Sequence, residues 1–323
     1  MLNFEGIGKP IIKIVGGARN NKIVYMDADE NPKVKNKYSS IELDDKELFE
    51  PLANFKANRN VAYIAGQSGS GKSYYCKQYI KNLLAHIKEK KPIYLISPFD
   101  EDPSLDDLED IQRIKIDMQL VEDPIDIKEL EDCIIIFDDI DSIKLKKKKD
   151  TQEVKEAIYQ LLHQCLEIGR HYNIDVVQTN HILCAGNDTK RVLNESHNIV
   201  FFPHSGSKMS MQRLCEEYGG IDKEALKEIK RIKSRWCCIH RNYPTHISTQ
   251  KKIWNPNIDE APTKIKGCGD GIFDNIGSVI TSGIKNQIMS HPFDTASKPK
   301  ASVVKGITDG IRAQTFASGK NKR

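Results

Sequence analysis

The chain has 323 residues, of which 39% are hydrophobic and 29% are charged, with a formal net charge of +4. These values are ordinary for a soluble protein, and the length suffices for one α/β core with extra segments at either end. No apolar run approaches the about 20 residues that span a bilayer. The opening sequence MLNFEGIGKP also lacks the pattern of a signal peptide. We therefore expect an intracellular protein without a transmembrane helix.

The net charge does not by itself mark a nucleic-acid-binding protein. Residues 254–323 contain ten Lys and Arg against six Asp and Glu, so the whole excess lies there and the remaining chain is neutral. Any contact with DNA must therefore come from local clusters of charge, or from their multiplication in an oligomer.

The eight cysteines include no CxxC pair, which favours a reducing setting inside the cell. Cys237 and Cys238 are adjacent, and His240 and His246 lie nearby. Two interpretations remain open. The group is either part of a zinc site whose spacing fits no standard finger, or a strand whose small thiols pack in the core.

Residues 1–58 are predicted to form an accessory, β-rich segment. Two runs, KPIIKIVGG and NKIVYMDA, are punctuated by Gly and Asn, which indicates a hairpin. A helical pattern follows around Glu42–Phe55, so we expect a short helix there.

From Asn60 onward, apolar strands alternate with helical patterns. The predicted strands are Val61–Ala65, Pro92–Ser97, Cys133–Phe137, Ile174–Gln178 and Ile199–Phe202. The predicted helices are Lys72–Lys90, Thr151–His171 and Ser207–Tyr218. A later pair of strands, Arg235–Arg241 and Thr245–Lys251, is expected to close one edge as a hairpin. This rhythm predicts an α/β domain over residues 59–254, with a mainly parallel sheet flanked by helices on both faces.

Residues 255–323 are predicted to hold a linker, an amphipathic helix and a flexible basic tail. Within GIFDNIGSVITSGIKNQIM the apolar residues recur at helical spacing opposite polar ones. Such a helix can dock on a partner protein, lie on a membrane or cover an apolar patch of its own oligomer. Docking on a partner is the interpretation we favour.

A phosphate-binding loop is the strongest motif in the chain. It matches GxxxxGK[ST] in full and consists of Gly66, Gln67, Ser68, Gly69, Ser70, Gly71, Lys72 and Ser73. A strand enters it and a helix leaves it, so backbone N–H groups and the helix dipole would surround a phosphate. Lys72 is predicted to reach the β- and γ-phosphates of ATP, and the Ser73 hydroxyl to bind Mg²⁺.

A pair of carboxylates follows the predicted strand Cys133–Phe137. In a parallel sheet such strand ends meet at the ligand crevice, and two buried carboxylates call for a cation. Asp138 is predicted to act through the Mg²⁺ shell, and Asp139 to polarise the attacking water.

The predicted strand that begins at Ile174 also ends in polar residues. If it lies between the phosphate-loop strand and the acidic strand, its tip faces the γ-phosphate. Asn180 is the preferred sensor of that phosphate, and Gln178 is the alternative.

These three elements together resemble the FtsK–HerA superfamily of DNA pumps. Within it, they are most similar to the genome-packaging ATPases of poxviruses, other large nucleocytoplasmic DNA viruses and virophages. The resemblance spans about Asn60 to Trp254 and includes GQSGSGKS, IIIFDD and the run IGRHYNIDVVQTN. Asp139 stands where many members carry Glu, and Asn180 stands where the sensor is usually Gln.

The resemblance implies a hexameric or similar ring with double-stranded DNA in its channel and ATP hydrolysis at subunit boundaries. Relatives carry an Arg shortly before the sensor strand, and Arg170 falls at that position. In a ring this guanidinium would stabilise the γ-phosphate of the neighbouring subunit. The alternative is a surface arginine paired with Glu167, and the lesser candidates for the same role are Arg191, Arg235 and Arg241.

A run of lysines follows the acidic pair after a few residues. It comprises Lys144, Lys146, Lys147, Lys148 and Lys149. Repeated around a ring, it would form a cationic collar that contacts DNA phosphates without regard to sequence. The other interpretation is a solvated, charged loop.

The sequence therefore predicts a RecA/ASCE-like P-loop core with the sensor strand between the other two, using ATP and Mg²⁺. The expected function is ATP-driven translocation of double-stranded DNA that packages a viral genome, in the host cytoplasm or the virion. A HerA-like helicase shares every motif. A small-molecule kinase is disfavoured because no lid with clustered arginines is evident, and a GTPase because no NKxD motif appears. A structural virion protein that retains a nucleotide fold is the remaining alternative.

Overall fold

Within the part of the chain that the structure describes, the strands form two sheets. The computed structural model describes residues 1–29, 31–184 and 186–256. The strands of the N-terminal part are β1 (Leu2–Asn3), β2 (Lys9–Val15), β3 (Ile23–Met26), β4 (Ser40–Glu42) and β5 (Leu48–Pro51). Those that follow are β6 (Val61–Ala65), β7 (Ile93–Ile96), β8 (Ile111–Arg113), β9 (Ile134–Asp138), β10 (Asp175–Asn180), β11 (Asn198–Phe201), β12 (Cys237–His240), β13 (His246–Thr249) and β14 (Lys252–Trp254).

The smaller sheet is antiparallel and has the strand order β1-β3-β2-β5. It contains the predicted N-terminal hairpin, β2–β3. The helix expected around Glu42–Phe55 is wrong, because that stretch contributes to two strands instead. Along β5 the side chains of Phe49 and Pro51 are buried while Leu48 is exposed. This alternation matches the two-residue period of a strand paired with β2, and pairing in the tertiary fold overrides the helical propensity of the local sequence.

The larger sheet has ten strands in the order β4-β14-β13-β12-β11-β6-β10-β9-β7-β8. The six strands from β11 to β8 run parallel, while the four at the other edge pair antiparallel. The predicted mainly parallel sheet is confirmed. So is the position of the sensor strand, because β10 lies between β6 and β9.

Helices cover both faces of this sheet. They are α1 (Lys72–Leu84), α2 (Gln119–Glu122), α3 (Lys148–Glu167), α4 (Asn187–Glu195), α5 (Lys208–Arg213) and α6 (Lys223–Arg231). A π-helical turn, Leu214–Tyr218, follows α5, and 3-10 turns occur at Ile127–Leu130, Ile140–Ser142 and Gly169–Tyr172. The sequence patterns did not predict α2, α4 or α6.

Alternate residues of β6 belong to two cores, one on each face of the sheet. Tyr63 packs with α3 in one core, and Ile64 packs with α1 in the other. The second core also contains Ile14 and Phe49 of the smaller sheet. The first 58 residues therefore share a core with the phosphate-loop helix. The division of the chain into 1–58, 59–254 and 255–323 remains a prediction.

The predicted amphipathic helix and basic tail lie outside the described residues. Within the part of the chain that the structure describes, every helix is too short or too polar to serve as a membrane span.

Candidate active site

The phosphate loop joins β6 to α1 at the carboxyl end of the parallel strands. Gly69 and Gly71 have φ angles of 74° and 107°, which favour glycine. A Cβ atom added at Gly66 would lie 2.6 Å from Phe202 Cδ2 and 2.7 Å from Ser70 Oγ. Three glycines are thus needed for the path of this loop. No acidic residue occupies the first turn of α1 and no side chain caps it, so its N–H groups are available to an anion.

Lys72 lies inside the site with only 6% of its surface exposed. Its Nζ is 3.5 Å from Asp139 Oδ2 and 3.2 Å from His181 Nδ1. His181 Nε2 in turn lies 3.0 Å from the same Asp139 oxygen. The three side chains therefore form a closed triangle at the mouth of the loop.

Asp138, the last residue of β9, is held by two hydroxyls. Ser97 Oγ donates to its Oδ2 at 2.8 Å, and Thr179 Oγ1 donates to its Oδ1 at 2.6 Å. The side chain is buried. These bonds fix the carboxylate in one orientation, which a metal ligand requires.

Asp139 has a left-handed backbone, with φ 43°, and its carboxylate contacts Lys72. The Thr179 hydroxyl accepts a hydrogen bond from its amide at 3.2 Å. Burial raises the pKa of the Asp139 carboxyl, opposed by the positive charge of Lys72 and reinforced by the negative charge of Asp138. Its Oδ1 atom is buried without a hydrogen-bond partner. A buried acceptor of this kind suits a ligand or a water molecule.

The two sensor candidates differ in their surroundings. Asn180 lies at the end of β10, where its Nδ2 donates to Asp141 Oδ2 at 2.9 Å and its Oδ1 accepts from the Ile182 amide at 3.0 Å. Gln178 is fully buried within the sheet, and both polar atoms of its side chain lack partners. The position of Asn180 at the strand end is the one that faces the loop.

Asp141 links Asn180 to α3. Besides the bond from Asn180, its carboxylate accepts a hydrogen bond from the Tyr159 hydroxyl, and Lys155 Nζ donates to its carbonyl oxygen at 2.5 Å. A chain of contacts thus runs from the tip of β10 to the helix that begins within the lysine run.

Arg170 lies far from its own phosphate loop. It is exposed in the 3-10 turn before β10. The six residues of β10, at about 3.3 Å each, separate it from the carboxyl end of the strand by about 20 Å. Glu167, its expected partner, pairs with Arg191 at 2.9 Å instead. The fold therefore rules out a contact of Arg170 with the site of its own chain.

Two other arginines have different surroundings. Arg241 Nη1 donates to carbonyl oxygens of Leu193, Asn194 and Ser196, so it binds the end of α4. Arg235 is exposed and lines a cavity beside α1.

The lysine run is exposed and lies at the start of α3. Lys148 and Lys149 belong to the first turn of this helix, and Lys147 is its N-cap residue. Positive charges at a helix N-terminus oppose the dipole by about 0.3–1 kcal/mol each. Lys147 and Lys149 also pair with Asp150 at 3.9 Å and with Glu153 at 3.4 Å, which offsets part of that cost.

The cysteine and histidine group lies in the strands β12 and β13. Cys237 and Cys238 are buried in β12, as the strand interpretation requires. The ring nitrogens of His240 lie 3.0 Å from Asn198 Oδ1 and 2.8 Å from Ser248 Oγ. Hydrogen bonds therefore engage both nitrogens that a metal would need.

Four residues of this region were not singled out in the sequence: Ser97, Thr179, His181 and Asp141. Each lies at or just beyond the end of a strand whose neighbours carry predicted site residues. Their position in the sequence could have indicated a role in the site, since polar side chains at the carboxyl ends of parallel strands converge.

The residues present fit ATP and Mg²⁺. The loop amides and Lys72 suit phosphates, while the Ser73 hydroxyl and the Asp138 carboxylate are the oxygen ligands that Mg²⁺ prefers. Among the described residues, no group of three or more His, Cys, Asp or Glu could hold a metal ion by itself. Mg²⁺ binds typically through one or two carboxylates together with nucleotide phosphates, which agrees with this site.

Comparisons with known proteins identify the domain. Residues 62–197 match the model of the ATPase family associated with various cellular activities (AAA). The uncharacterized protein V3 of Sputnik virophage is 37% identical over 260 residues, which cover 76% of this chain and 95% of V3.

Solved structures also align with the chain. The genome packaging NTPase B204 of Sulfolobus turreted icosahedral virus 2, in complex with AMPPCP, aligns at 20% identity and a TM-score of 0.40, over 62% of this chain and 99% of B204. The pCW3 conjugation coupling protein TcpA aligns at 14% identity and a TM-score of 0.45, over 77% of this chain and 78% of TcpA. TM-scores this low do not assign a function to the chain.

The similarity to V3 shows the family of this chain, because the alignment covers nearly all of V3. The chain belongs to the family of Sputnik virophage protein V3 and contains a P-loop domain that matches the AAA ATPase model.

Proposed function

We propose that the chain hydrolyses ATP to translocate double-stranded DNA, and that it packages a viral genome. The observation that carries this proposal is the convergence of Lys72, Asp138, Asp139 and Asn180 at one edge of the sheet, with β10 between the other two strands. This arrangement can hold a triphosphate, a metal ion and an attacking water in line.

The loop residues Gly66–Ser73 would bind the phosphates, with Lys72 on the β- and γ-phosphates. Ser73 and Asp138 would hold Mg²⁺, which neutralises charge that develops on the phosphate oxygens. Ser97 and Thr179 are positioning residues, because their hydroxyls fix Asp138.

Asp139 would polarise the attacking water. The contact of its Oδ2 with Lys72 and His181 occupies this carboxylate in the structure. A γ-phosphate competes with Asp139 for the Lys72 ammonium, and its arrival would release the carboxylate for water. The triangle of Lys72, Asp139 and His181 would thus hold the site idle until ATP binds.

Asn180 would sense the γ-phosphate and pass its state to α3. Its amide binds Asp141, which contacts Tyr159 and Lys155 of α3. If the Asn180 amide leaves Asp141 to bind the γ-phosphate, the contact between β10 and α3 is broken. The lysine run leads into α3, so this change would reach it. That exchange would couple hydrolysis to movement of a DNA-binding segment.

Lys144, Lys146, Lys147, Lys148 and Lys149 would contact DNA phosphates. Their exposure, in the segment that leads into α3, leaves these side chains accessible to DNA phosphates. Around a ring, copies of the run would line a channel and bind duplex DNA of any sequence, with strong dependence on salt.

A ring of copies would also give Arg170 a function. Because it is exposed and distant from its own loop, its guanidinium is available to the site of a neighbouring subunit. There its guanidinium would stabilise the transition state of phosphoryl transfer.

The viral relative supports a viral task, in the host cell or the virion. Residues 255–323 would then dock the ring on a capsid or membrane component through the predicted amphipathic helix.

ATP hydrolysis with and without duplex DNA tests this proposal. We expect strong stimulation by DNA in the wild type and no hydrolysis by Lys72→Ala. The double variant Lys146→Gln/Lys147→Gln should lose most of the stimulation and keep its basal rate. The matched control is Lys88→Gln/Lys90→Gln, which removes two exposed lysines beyond α1. Equal rates with and without DNA would contradict the proposal, and so would equal stimulation of the two double variants.

A further inference from the structure

A buried arginine contacts the end of the helix that leads to Arg170. Arg59 directly precedes Asn60 and β6, and only 9% of its surface is exposed. Its Nη2 donates to the carbonyl oxygens of Cys165 and Leu166 at 2.7 Å and 3.0 Å. These carbonyls belong to the last turn of α3, where the helix itself supplies no donors for them. Arg59 therefore caps the end of α3, just before the 3-10 turn that carries Arg170.

The far side of that turn is also held in place. Lys91 Nζ donates to the carbonyl oxygen of Asn173 and to Asp175 Oδ2, each at 2.8 Å. The backbone amide of Asn60 donates to Asp175 Oδ1 at 2.6 Å. The turn thus lies between two anchors, because α3 ends at Arg59 and β10 begins at a carboxylate that two other segments bind. Its backbone has little freedom to move.

Arg59 also packs against the turn itself. A Cβ atom added at Gly169, the residue before Arg170, would lie 3.9 Å from Arg59 Cζ. Burial lowers the pKa of Arg59, the negative charge of Glu195 opposes this, and the positive charge of Arg170 adds to it. The two cations therefore repel each other, which favours the outward, exposed position of Arg170.

Capping of a helix does not by itself explain a buried cation. The Nε atom of Arg59 is buried without a hydrogen-bond partner, and a buried charged group with an unpaired donor costs free energy. The carbonyl end of a helix is partly negative and attracts cations. Without Arg59, the end of α3 would attract Arg170, which follows it by a few residues. The charge of Arg59 prevents that return.

We propose that Arg59 is a positioning residue for Arg170: it occupies the negative end of α3 and keeps the Arg170 guanidinium free to reach a neighbouring subunit. This inference rests on the proposed function, because it requires Arg170 to act on the site of a neighbour. Misplacement of a catalytic group by about 1 Å can cost about 10²-fold in rate. Loss of Arg59 would therefore impair the neighbour's site and leave the subunit's own phosphate loop intact.

ATPase measurements on mixed subunits, with duplex DNA present, test this inference. Arg59→Gln keeps an amide donor for the carbonyls and removes the charge. We expect its kcat to fall about tenfold, with an unchanged KM for ATP because its own phosphate loop is intact. Lys72→Ala has no working site but keeps Arg59 and Arg170. An equal amount of Lys72→Ala should therefore raise the rate per intact site severalfold, as it should for Arg170→Ala.

Two further variants separate positioning from folding. Arg59→Lys keeps the charge but reaches the carbonyls with a single nitrogen. Its kcat should fall by a smaller factor, and Lys72→Ala should relieve that defect too. Arg241→Gln is the matched control, because Arg241 Nη1 also donates to carbonyls at the end of a helix, α4 instead of α3. It should keep the wild-type kcat, and addition of Lys72→Ala should not raise its rate.

Several results would overturn the inference. A wild-type kcat in Arg59→Gln would show that Arg170 needs no support from Arg59. If Lys72→Ala relieves Arg170→Ala but not Arg59→Gln, the defect lies in the variant's own site, and the inference fails while the proposed function stands. If Lys72→Ala relieves neither, the role of Arg170 in a neighbouring site fails as well.

Binding of ATP reports whether Arg59→Gln is folded. If this variant does not bind ATP, Arg59→Lys decides the question in the same mixtures. A wild-type kcat in Arg59→Lys, or a defect that Lys72→Ala does not relieve, would then overturn the inference.

Discussion

The two sides of the phosphate-loop strand β6 differ in how they bury polar groups. On the side of β10 and β9, charged side chains are buried together: Lys72, Asp138 and Asp139, with His181 beside them. On the side of β11 and β12, the buried groups are aromatic rings, thiols and histidines in neutral surroundings.

The histidines show this difference most clearly. His181 contacts a carboxylate and an ammonium. Burial lowers the pKa of His240 to about 3 and that of His246 to about 4. One side thus tolerates charge that a ligand can use, while the other excludes it and offers an apolar surface. The difference teaches that the fold confines its buried charges to the side of the sheet where the phosphate loop meets the acidic pair.

The largest effect is expected from removing the charge of Asp139. Asp139→Asn should lower ATP hydrolysis by about 10²- to 10⁴-fold, because the water loses its proton acceptor. ATP binding should persist, since Lys72 is released for phosphate. Steady-state hydrolysis and ATP binding would be measured together, with Asp107→Asn, an exposed carboxylate paired with lysines of α1, as the control. Substantial hydrolysis by Asp139→Asn would contradict the role of Asp139 as proton acceptor. The buried charges on its side of β6 would then no longer explain the chemistry.

A smaller loss is expected for His181→Ala. Its ring contacts Asp139 and Lys72, so its removal leaves both less firmly placed, which should cost about tenfold to a hundredfold in kcat. The exposed His171, before β10, provides the control His171→Ala. If the two variants hydrolyse ATP equally well, His181 has no positioning role.

The link from Asn180 to α3 predicts a selective defect. Tyr159→Phe removes the hydroxyl that donates to Asp141 and should reduce stimulation by DNA severalfold while the basal rate is kept. Tyr243→Phe, at the exposed tip of the β12–β13 hairpin, is the matched control. A parallel fall of basal and stimulated rates would indicate a general structural role instead.

The buried histidines of β12 and β13 predict that the protein loses stability in acid. Because His240 and His246 bind a proton more weakly when folded, their contribution is complete above the ordinary His value of 6.5. It is lost as the pH falls toward about 4, at up to about 1.4 kcal/mol per pH unit for each histidine. Urea unfolding at about pH 7 and about pH 5 measures this slope.

His240→Gln should flatten that slope, because the titrating ring is gone. The exposed control His171→Gln should leave it as in the wild type. An unchanged slope in His240→Gln would mean that the ring does not titrate on unfolding, which would contradict the neutral character of this side.

Much of the site was predictable because its motifs are local. The phosphate loop and the acidic pair depend on short spacings at strand ends, and the order of β6, β10 and β9 follows from the pattern of the FtsK–HerA resemblance. The positions of Thr179 and Ser97 could not be read in this way. Their hydroxyls meet Asp138 only after three strands pair in a particular register.

The errors came from segments whose structure depends on distant partners. The region around Glu42–Phe55 has a helical pattern, yet it pairs with β2 and β14. The lysine run looked like a loop, but its last residues begin α3. In both cases, tertiary contacts decided between local alternatives of similar energy.

Movement along duplex DNA is the central claim, and displacement of a third strand from a DNA triplex measures it most directly. The account predicts ATP-dependent displacement by the wild type, reduced by Lys146→Gln/Lys147→Gln and absent in Lys72→Ala. Continued ATP hydrolysis on the same DNA without any displacement would contradict the account.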